Sequence, residues 1–144
     1  MAYERTFAII KPDGMEFQEE VMKRIQESGL KIVRQKKTVM TSDIAKQFYY
    51  HVKVKRDDVI YQSVIDYMTS GEIIALELEG EDAVQGLRKL IGCTDPEKAE
   101  KGTIRGDFGT DKMRIADSEN RSTKNIIHAS GSIEESLTEK NYFF

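Results

Sequence analysis

The chain has 144 residues, enough for one domain with a sizeable core, and its hydrophobic (39%) and charged (33%) fractions are those of an ordinary globular protein. A formal net charge of −3 excludes a general attraction to nucleic acid or to anionic membrane surfaces. The single cysteine, Cys93, excludes an internal disulfide, and no Cys/His cluster has the spacing of a zinc site.

The first residues, Met1-Ala2-Tyr3-Glu4-Arg5, carry no signal-peptide core, and no later apolar run approaches membrane-spanning length, so a cytoplasmic protein without a membrane partner is expected. Thr6-Phe7-Ala8-Ile9-Ile10-Lys11 is a short apolar run with β-branched residues, which predicts a buried strand. Pro12 stops it and drives the preceding residue to extended geometry. Lys11 is therefore presented at the strand's end beside the turn residues Asp13 and Gly14; an ordinary edge lysine is the alternative. Phe17, Val21 and Ile25 recur every four residues with Gly29 beyond them, an amphipathic helix and its stop signal. Residues 30–40, rich in Ile, Val and Thr, predict a second strand whose lysines and Arg34 form a solvated face.

Ser42 and Asp43 are candidate caps for a helix with Ile44 and Phe48 on one side, carrying Tyr49, Tyr50 and His51. His51 has no apolar strand to aim it and reads as a surface or helix-end residue. Asp57 and Asp58 open another helix, with Ile60, Val64 and Met68 in one stripe and Ser70-Gly71 at its end. Ile73-Ile74-Ala75-Leu76-Glu77-Leu78 predicts a third strand, and Glu79-Gly80 turns the chain into a helix that points Ala83, Val84, Leu87 and Ile91 inward and closes at Gly92.

Between Cys93 and Thr110 the composition changes, with Pro96, Gly102, Gly106 and Gly109 punctuating a long irregular segment of the sort that tends to be functional. Residues 112–124 are polar and lack periodicity, an exposed excursion or hairpin. Ile126 and Ile127 form a short buried strand or its end, with His128 where the chain leaves the core. Ser132 and Glu135 have capping-box spacing and open a last helix, whose Leu137, Tyr142 and Phe143 dock on the core. The order β-α-β-α-α-β-α-loop-β-α predicts an α/β (α+β) fold. Its expected core is a ferredoxin-like four-stranded antiparallel sheet of βαββαβ topology with helices on one face, additional helices and a long loop before the last strand, all in one domain over 1–144.

Imidazole is the side chain able to be neutral and nucleophilic near pH 7. Taken alone, His128 reads more readily as a histidine closing a strand. It gains meaning from Lys11, Arg88, Thr94, Arg105 and Asn125, which also fall at strand or helix ends or in the long loop. Arginine and lysine suit phosphate oxygens, and a nucleophilic histidine among such cations suggests phosphoryl transfer through a phosphohistidine.

Four segments sharpen this: Arg5-Thr6-Phe7-Ala8-Ile9-Ile10-Lys11-Pro12-Asp13-Gly14, Tyr67-Met68-Thr69-Ser70-Gly71, Gly102-Thr103-Ile104-Arg105-Gly106-Asp107-Phe108 and Asn125-Ile126-Ile127-His128-Ala129-Ser130. Together and in this order they resemble the signature segments of nucleoside diphosphate kinases, over almost the whole chain. The resemblance implies reversible ping-pong transfer of the γ-phosphate of a nucleoside triphosphate such as ATP to a nucleoside diphosphate. His128 would be the phosphate carrier. Lys11 would bind the transferred phosphate and the sugar 3′-hydroxyl, Asn125 the sugar, and Arg88, Thr94 and Arg105 the phosphates, with Mg2+ bridging them and no protein metal ligands. Glu139 would hold the ring's other nitrogen and Ser130 would support it. Tyr49, or its neighbour Tyr50, would be the active-site tyrosine. A homo-oligomer is implied, with nucleoside di- and triphosphates as partners.

Several positions depart from the family. Gly131 stands where an aspartate is usual, Met15-Glu16-Phe17-Gln18 is slightly short, and Ile60, with Tyr61 adjacent, occupies the slot of an aromatic residue that stacks on the base. The connection from Phe108 to Asn125 is longer than the family's, predicting either a lid that brings Arg114, Arg121 or Lys124 over the nucleotide, or a solvated hairpin on the rim or an oligomer contact. A nucleotide-binding regulator without turnover would be expected to lose His128, and an RNA-binding sheet would need a Lys/Arg-Gly-aromatic strand motif that is absent, so no specific nucleic-acid partner is expected.

Overall fold

The computed structural model describes residues 2–144. β1 (Tyr3–Ile10) runs through the middle of an antiparallel sheet, paired with β3 (Glu72–Glu81) on one side and β4 (Ile127–Ala129) on the other. β2 (Lys31–Val39) pairs only with β3 and forms one outer edge, with β4 at the other, giving the order β2-β3-β1-β4. Helix α1 (Gln18–Glu27) follows a 3₁₀ turn (Pro12–Phe17) and links β1 to β2. Helix α5 (Ala83–Ile91) leads from β3 toward β4, completing the expected βαββαβ core. Between β2 and β3 lie α2 (Ser42–Phe48), α3 (Tyr50–Lys55) and α4 (Asp58–Met68).

The helices cover both faces of the sheet, not one. Ala8, Ile10, Ile74 and Leu76 face α1 and α5 in one core, while Phe7, Ile9, Ile73 and Ala75 face α2, α4 and the C-terminal Phe143 in a second. The reason is in the strands themselves: uninterrupted apolar runs such as Ile73-Ile74-Ala75-Leu76 have no polar face to offer water, so each side needs its own layer.

Helix ends mostly follow the local chemistry. Asp57 accepts from the Ile60 amide at 2.9 Å and caps α4, and Ser132 caps α8 (Ile133–Lys140). At α2 the cap is Thr41 instead of Ser42 or Asp43, because Thr41 is the residue still in extended geometry whose hydroxyl reaches the Ile44 amide. The segment after Gly92 contains α6 (Ile104–Phe108), capped by Thr103. The excursion before β4 holds α7 (Met113–Ser118) and no hairpin; one short turn of helix is too brief to display a period. Leu137 of α8 stays 51% exposed, so of the three expected C-terminal anchors Phe143 is the one fully docked.

Candidate active site

β1 delivers Lys11 to the end of the sheet, where its amide bonds the Ile126 carbonyl at 2.8 Å. Its ammonium donates to Asn125 Oδ1 at 2.7 Å, and the Asn125 amide nitrogen donates in turn to the Thr94 carbonyl at 2.9 Å. The buried Asn125 side chain thereby ties the strand end to the loop after α5. Arg105 performs a similar task from α6. Its guanidinium donates to the carbonyls of Asn125 (3.1 Å), Gly92 (3.2 Å) and Ile127 (2.7 Å). Those partners are neutral, so the positive charge is held rigidly without a carboxylate to quench it.

Gly92 makes this possible. Its φ is +93°, and a Cβ there would come within 2.6 Å of the Thr103 hydroxyl oxygen. Only glycine lets α5 end so close to α6.

His128 follows a strained turn. Ile126 has φ +74°, and the Ile127 amide closes a three-residue turn onto the Asn125 carbonyl at 2.8 Å. Such geometry in a β-branched residue costs about 1–3 kcal/mol and persists only where its surroundings impose it. Asp13 does so here. One carboxylate oxygen accepts from the Ile126 amide at 3.1 Å, and the other accepts from the Tyr67 hydroxyl. Gly14 lies directly beneath, where a Cβ would come within 2.4 Å of the Ile126 carbonyl oxygen. Asp13, Tyr67 and Gly14 lie in segments quoted above for their family resemblance, yet pattern alone gives Asp13 only a turn role, because its partner is 113 residues away.

Behind the imidazole, Nε2 of His128 lies 2.9 Å from Glu139 Oε1, and the Ser130 hydroxyl donates to the same oxygen at 2.5 Å. Burial pushes the Glu139 carboxyl up, but the hydrogen bonds from His128 and Ser130 outweigh it and leave the group below its ordinary range. Phe48 meets the imidazole edge-on, with centroids 5.3 Å apart. Among the described residues Nδ1 has no hydrogen-bond partner, so the lone pair opposite Glu139 is left for an incoming group.

The ring faces a cavity of about 650 Å3 that Lys11, Arg88, Thr94, Arg105 and Asn125 also line. A groove of similar size, about 660 Å3, lies beside Glu4, Asp82 and Glu134 and is lined by no histidine or cation, so charge and not volume singles out the first. In the cationic cavity Lys89 adds to the positive charge, and Glu135 is the carboxylate on its wall. Burial, then the charge of Arg105, pulls the Lys11 ammonium down to about 8. Burial, then Arg88, lowers Arg105 to about 10. The site holds cations closer together than they would choose, which is what a polyanionic ligand would relieve.

Every cationic or polar residue expected at the site, Lys11, Arg88, Thr94, Arg105, Asn125 and His128, thus meets on one wall, with Glu139 and Ser130 behind it. Tyr49 is 7% exposed and packed on Phe48 with its hydroxyl buried and unpaired, whereas Tyr50 is 60% exposed. Burial and the nearby Glu139 raise the Tyr49 hydroxyl well above its ordinary value. Ile60 is 5% exposed and does not line the cavity, and the Tyr61 hydroxyl is committed to the Lys46 carbonyl at 3.0 Å. His51 sits exposed on α3.

The carboxylate missing at Gly131 has a neighbour in its place: Glu135 accepts from the Gly131 amide at 2.7 Å. The arginines of the segment before β4 are engaged elsewhere. Arg121 grips Asp111 at 2.7 and 3.0 Å, holding that carboxyl down at about 2, and Arg114 grips Glu97 at 3.0 Å. The same segment meets α4 through the Ser122 amide and the Ser63 hydroxyl, 2.9 Å apart. It is a brace on the rim, and Arg114 and Arg121 do not line the cavity.

Known proteins resemble this chain over almost its whole length. The family model described as nucleoside diphosphate kinase matches residues 4–144. The chain is 40% identical over 146 aligned positions to a nucleoside diphosphate kinase of Saccharolobus islandicus, covering 100% of this chain and 96% of that one. A Wolbachia pipientis nucleoside diphosphate kinase matches at the same 40% identity, covering 100% of this chain and 96% of the relative. Among solved structures, the nucleoside diphosphate kinase of Borrelia burgdorferi, captured as a transition-state mimic with vanadate and ADP, superposes with a TM-score of 0.91 at 29% identity, covering 99% of this chain and 87% of that one. The Aquifex aeolicus enzyme does so with a TM-score of 0.83 at 38% identity, covering 99% and 96%. With matches that run the length of the molecule in both sequence and fold, this chain belongs to the nucleoside diphosphate kinase family and is a nucleoside-diphosphate kinase.

Proposed function

We propose that this kinase works by a ping-pong cycle in which His128 carries the phosphate between two nucleotides. The observation that carries the reading is the contact of 2.9 Å between His128 Nε2 and Glu139 on the side away from the cationic cavity. Donating the Nε2 proton to Glu139 fixes one tautomer and leaves the Nδ1 lone pair facing the cavity. That nitrogen attacks the γ-phosphorus of a nucleoside triphosphate such as ATP, the bond to the bridging oxygen breaks, and the nucleoside diphosphate departs. A terminal phosphate oxygen of a second diphosphate then attacks the phosphohistidine, and Nδ1 leaves with its lone pair restored.

The surrounding residues divide the work. Lys11 meets the transferred phosphate and the sugar 3′-hydroxyl, and Asn125 the sugar. Arg88, Thr94 and Arg105 take the phosphates, where the two guanidinium charges and the threonine hydroxyl stabilise the equatorial oxygens of the transition state. Ser130 and Tyr49 support the histidine from the Glu139 side. Ile60 or Tyr61 would reach the base only by movement of α4, so base contacts would be weak and the nucleoside range broad. Among the described residues no group of His, Cys, Asp and Glu could cage a metal, and such a donor set fits Mg2+ arriving on the nucleotide phosphates. When bound, Mg2+ supplies charge neutralisation between the phosphates.

The whole of 1–144 acts as a single domain, and the unpaired outer edge of β2 supports assembly as a homo-oligomer. A cytoplasmic setting belongs to the same proposal; no helix among the described residues is long and apolar enough to cross a membrane. The cycle is tested by incubating the protein with ATP labelled in its γ-phosphate. An acid-labile, alkali-stable phosphoryl-enzyme is expected, lost in His128→Ala and retained in His51→Ala. Label that survives His128→Ala would show the carrier to be another residue.

A further inference from the structure

One buried charge cluster has no part in the cycle above. Glu77 sits in the middle of β3 on the face that otherwise buries Ile73 and Ala75, and it is 1% exposed. A carboxylate there carries a desolvation cost that an aliphatic side chain would not. Cations from separate elements compensate it: Arg34 of β2 donates from Nε at 2.9 Å, Lys140 of α8 from Nζ at 3.2 Å, and Arg5 of β1 lies at 3.9 Å.

Lys140 is the residue next to Glu139, the carboxylate on His128. Helix α8 lies against β1 but brings no buried apolar side chain to that contact. Ser136 is its buried residue, and its apolar Ile133 and Leu137 are exposed. An eight-residue helix without an apolar stripe does not fix its own pose. Its far end is pinned by Glu77 and by the tail that follows: Phe143 stacks on Phe7 with centroids 5.7 Å apart, Lys36 donates to the Phe143 carbonyl at 3.3 Å, and Arg34, already on Glu77, covers the Phe144 ring at 4.5 Å.

We propose that Glu77 and Lys140 form an ionic clasp that acts as a positioning device for phosphoryl transfer, holding the last turn of α8 so that Glu139 stays on Nε2 of His128. The inference rests on the reading of Glu139 as the group that orients His128. A buried ion pair adds little net stability but defines one geometry, and catalytic geometry is sensitive to displacements of about 1 Å. Of the other titratable groups around Glu139, His51 of α3, Tyr49 at the end of α2, and Glu134, Glu135 and Tyr142 on the same groove, none is bonded to the clasp.

The test uses the full chain carrying Lys140→Met, Glu77→Gln, both together, Lys140→Arg, and Glu139→Gln as reference. Steady-state kinetics are read beside the 15N shifts of the His128 ring, which report the tautomer. Lys140→Met and Glu77→Gln are each expected to lower kcat on the order of tenfold while nucleotide KM stays within about twofold. A population of the Nδ1-protonated tautomer should appear with them. The double variant should be no worse than either single one, because both break the same contact, and Lys140→Arg should keep most of the rate. Glu77→Gln, nearly isosteric, carries the test if Lys140→Met does not fold. A fall in Tm with kcat and ring shifts unchanged well below it overturns the clasp. If Glu139→Gln alters rate and tautomer while the clasp variants do not, the clasp falls and the role of Glu139 stands. If Glu139→Gln alters neither, both fall.

Discussion

Lys11 has its ammonium beside another cation, Arg105, and burial and that charge together draw it from 10.5 to about 8. Between about pH 8 and the ordinary value of a lysine, the empty site therefore holds Lys11 mostly neutral. A nucleotide phosphate beside the amine reverses the balance, since an opposite charge favours the protonated form. Binding at pH 8.5 to 9 should then take up a proton at Lys11, whereas binding at pH 6.5, where the amine is already charged, should take up none there. Calorimetric titration of a nucleoside diphosphate in buffers of different ionisation enthalpy measures the uptake directly, and Lys11→Met should remove the difference between the two pH values. An uptake that persists in Lys11→Met assigns the proton to another group. At this scale the sequence is informative about which residues matter and silent about how they are held. Lys11, Arg105 and His128 are visible from strand ends and motif. The Asp13 carboxylate under Ile126 is not, because a hydrogen bond across 113 residues leaves no local pattern.

The elements near the site end where their neighbours require, and α5 is the clearest instance. Its apolar positions and its stop at Gly92 are plain in the sequence, and both are found in the structure. The sequence does not tell that Gly92 is also the contact surface for Thr103 and the acceptor for Arg105. Gly92→Ala places a Cβ within 2.6 Å of the Thr103 hydroxyl at φ +93°. With ψ at −172° this is a backbone region essentially restricted to glycine, which costs about 1–3 kcal/mol in a residue with a Cβ, and the clash adds to it. Urea unfolding should show a loss of at least about 2 kcal/mol, and the shifted carbonyl should weaken nucleotide binding through Arg105. A variant of unchanged stability would mean that α6 swings freely against α5. Elements whose evidence is purely tertiary escape sequence reading in the same way. The helices of the second layer show apolar stripes of their own, Ile44 and Phe48 in α2 and Ile60, Val64 and Met68 in α4, but no stripe tells which face of the sheet it covers, and α7 is too short to show a face.

At the scale of the whole molecule, the distribution of charge matters more than its sum. The chain is net negative at −3, yet Lys11, Arg88, Lys89 and Arg105 converge on one cavity. Acidic side chains occupy other surfaces, such as Glu4, Asp82 and Glu134 around the neighbouring groove. Composition alone reports the sum and hides this separation, which arises only when β1, α5, α6 and β4 bring their ends together. A cleft of one sign in a low-dielectric wall concentrates ligands of the opposite sign and guides their approach. Such steering acts over a Debye length, about 10 Å at 0.1 M salt and about 3 Å at 1 M, so salt should suppress it without reaching the contacts formed after docking. Raising potassium chloride from 0.05 to 0.5 M should therefore lower kcat/KM for nucleoside triphosphate several-fold while kcat at saturation changes little. Equal losses in kcat and kcat/KM would place the salt effect on the phosphoryl-transfer step itself, and a flat kcat/KM would mean that the cations act only once the nucleotide is bound.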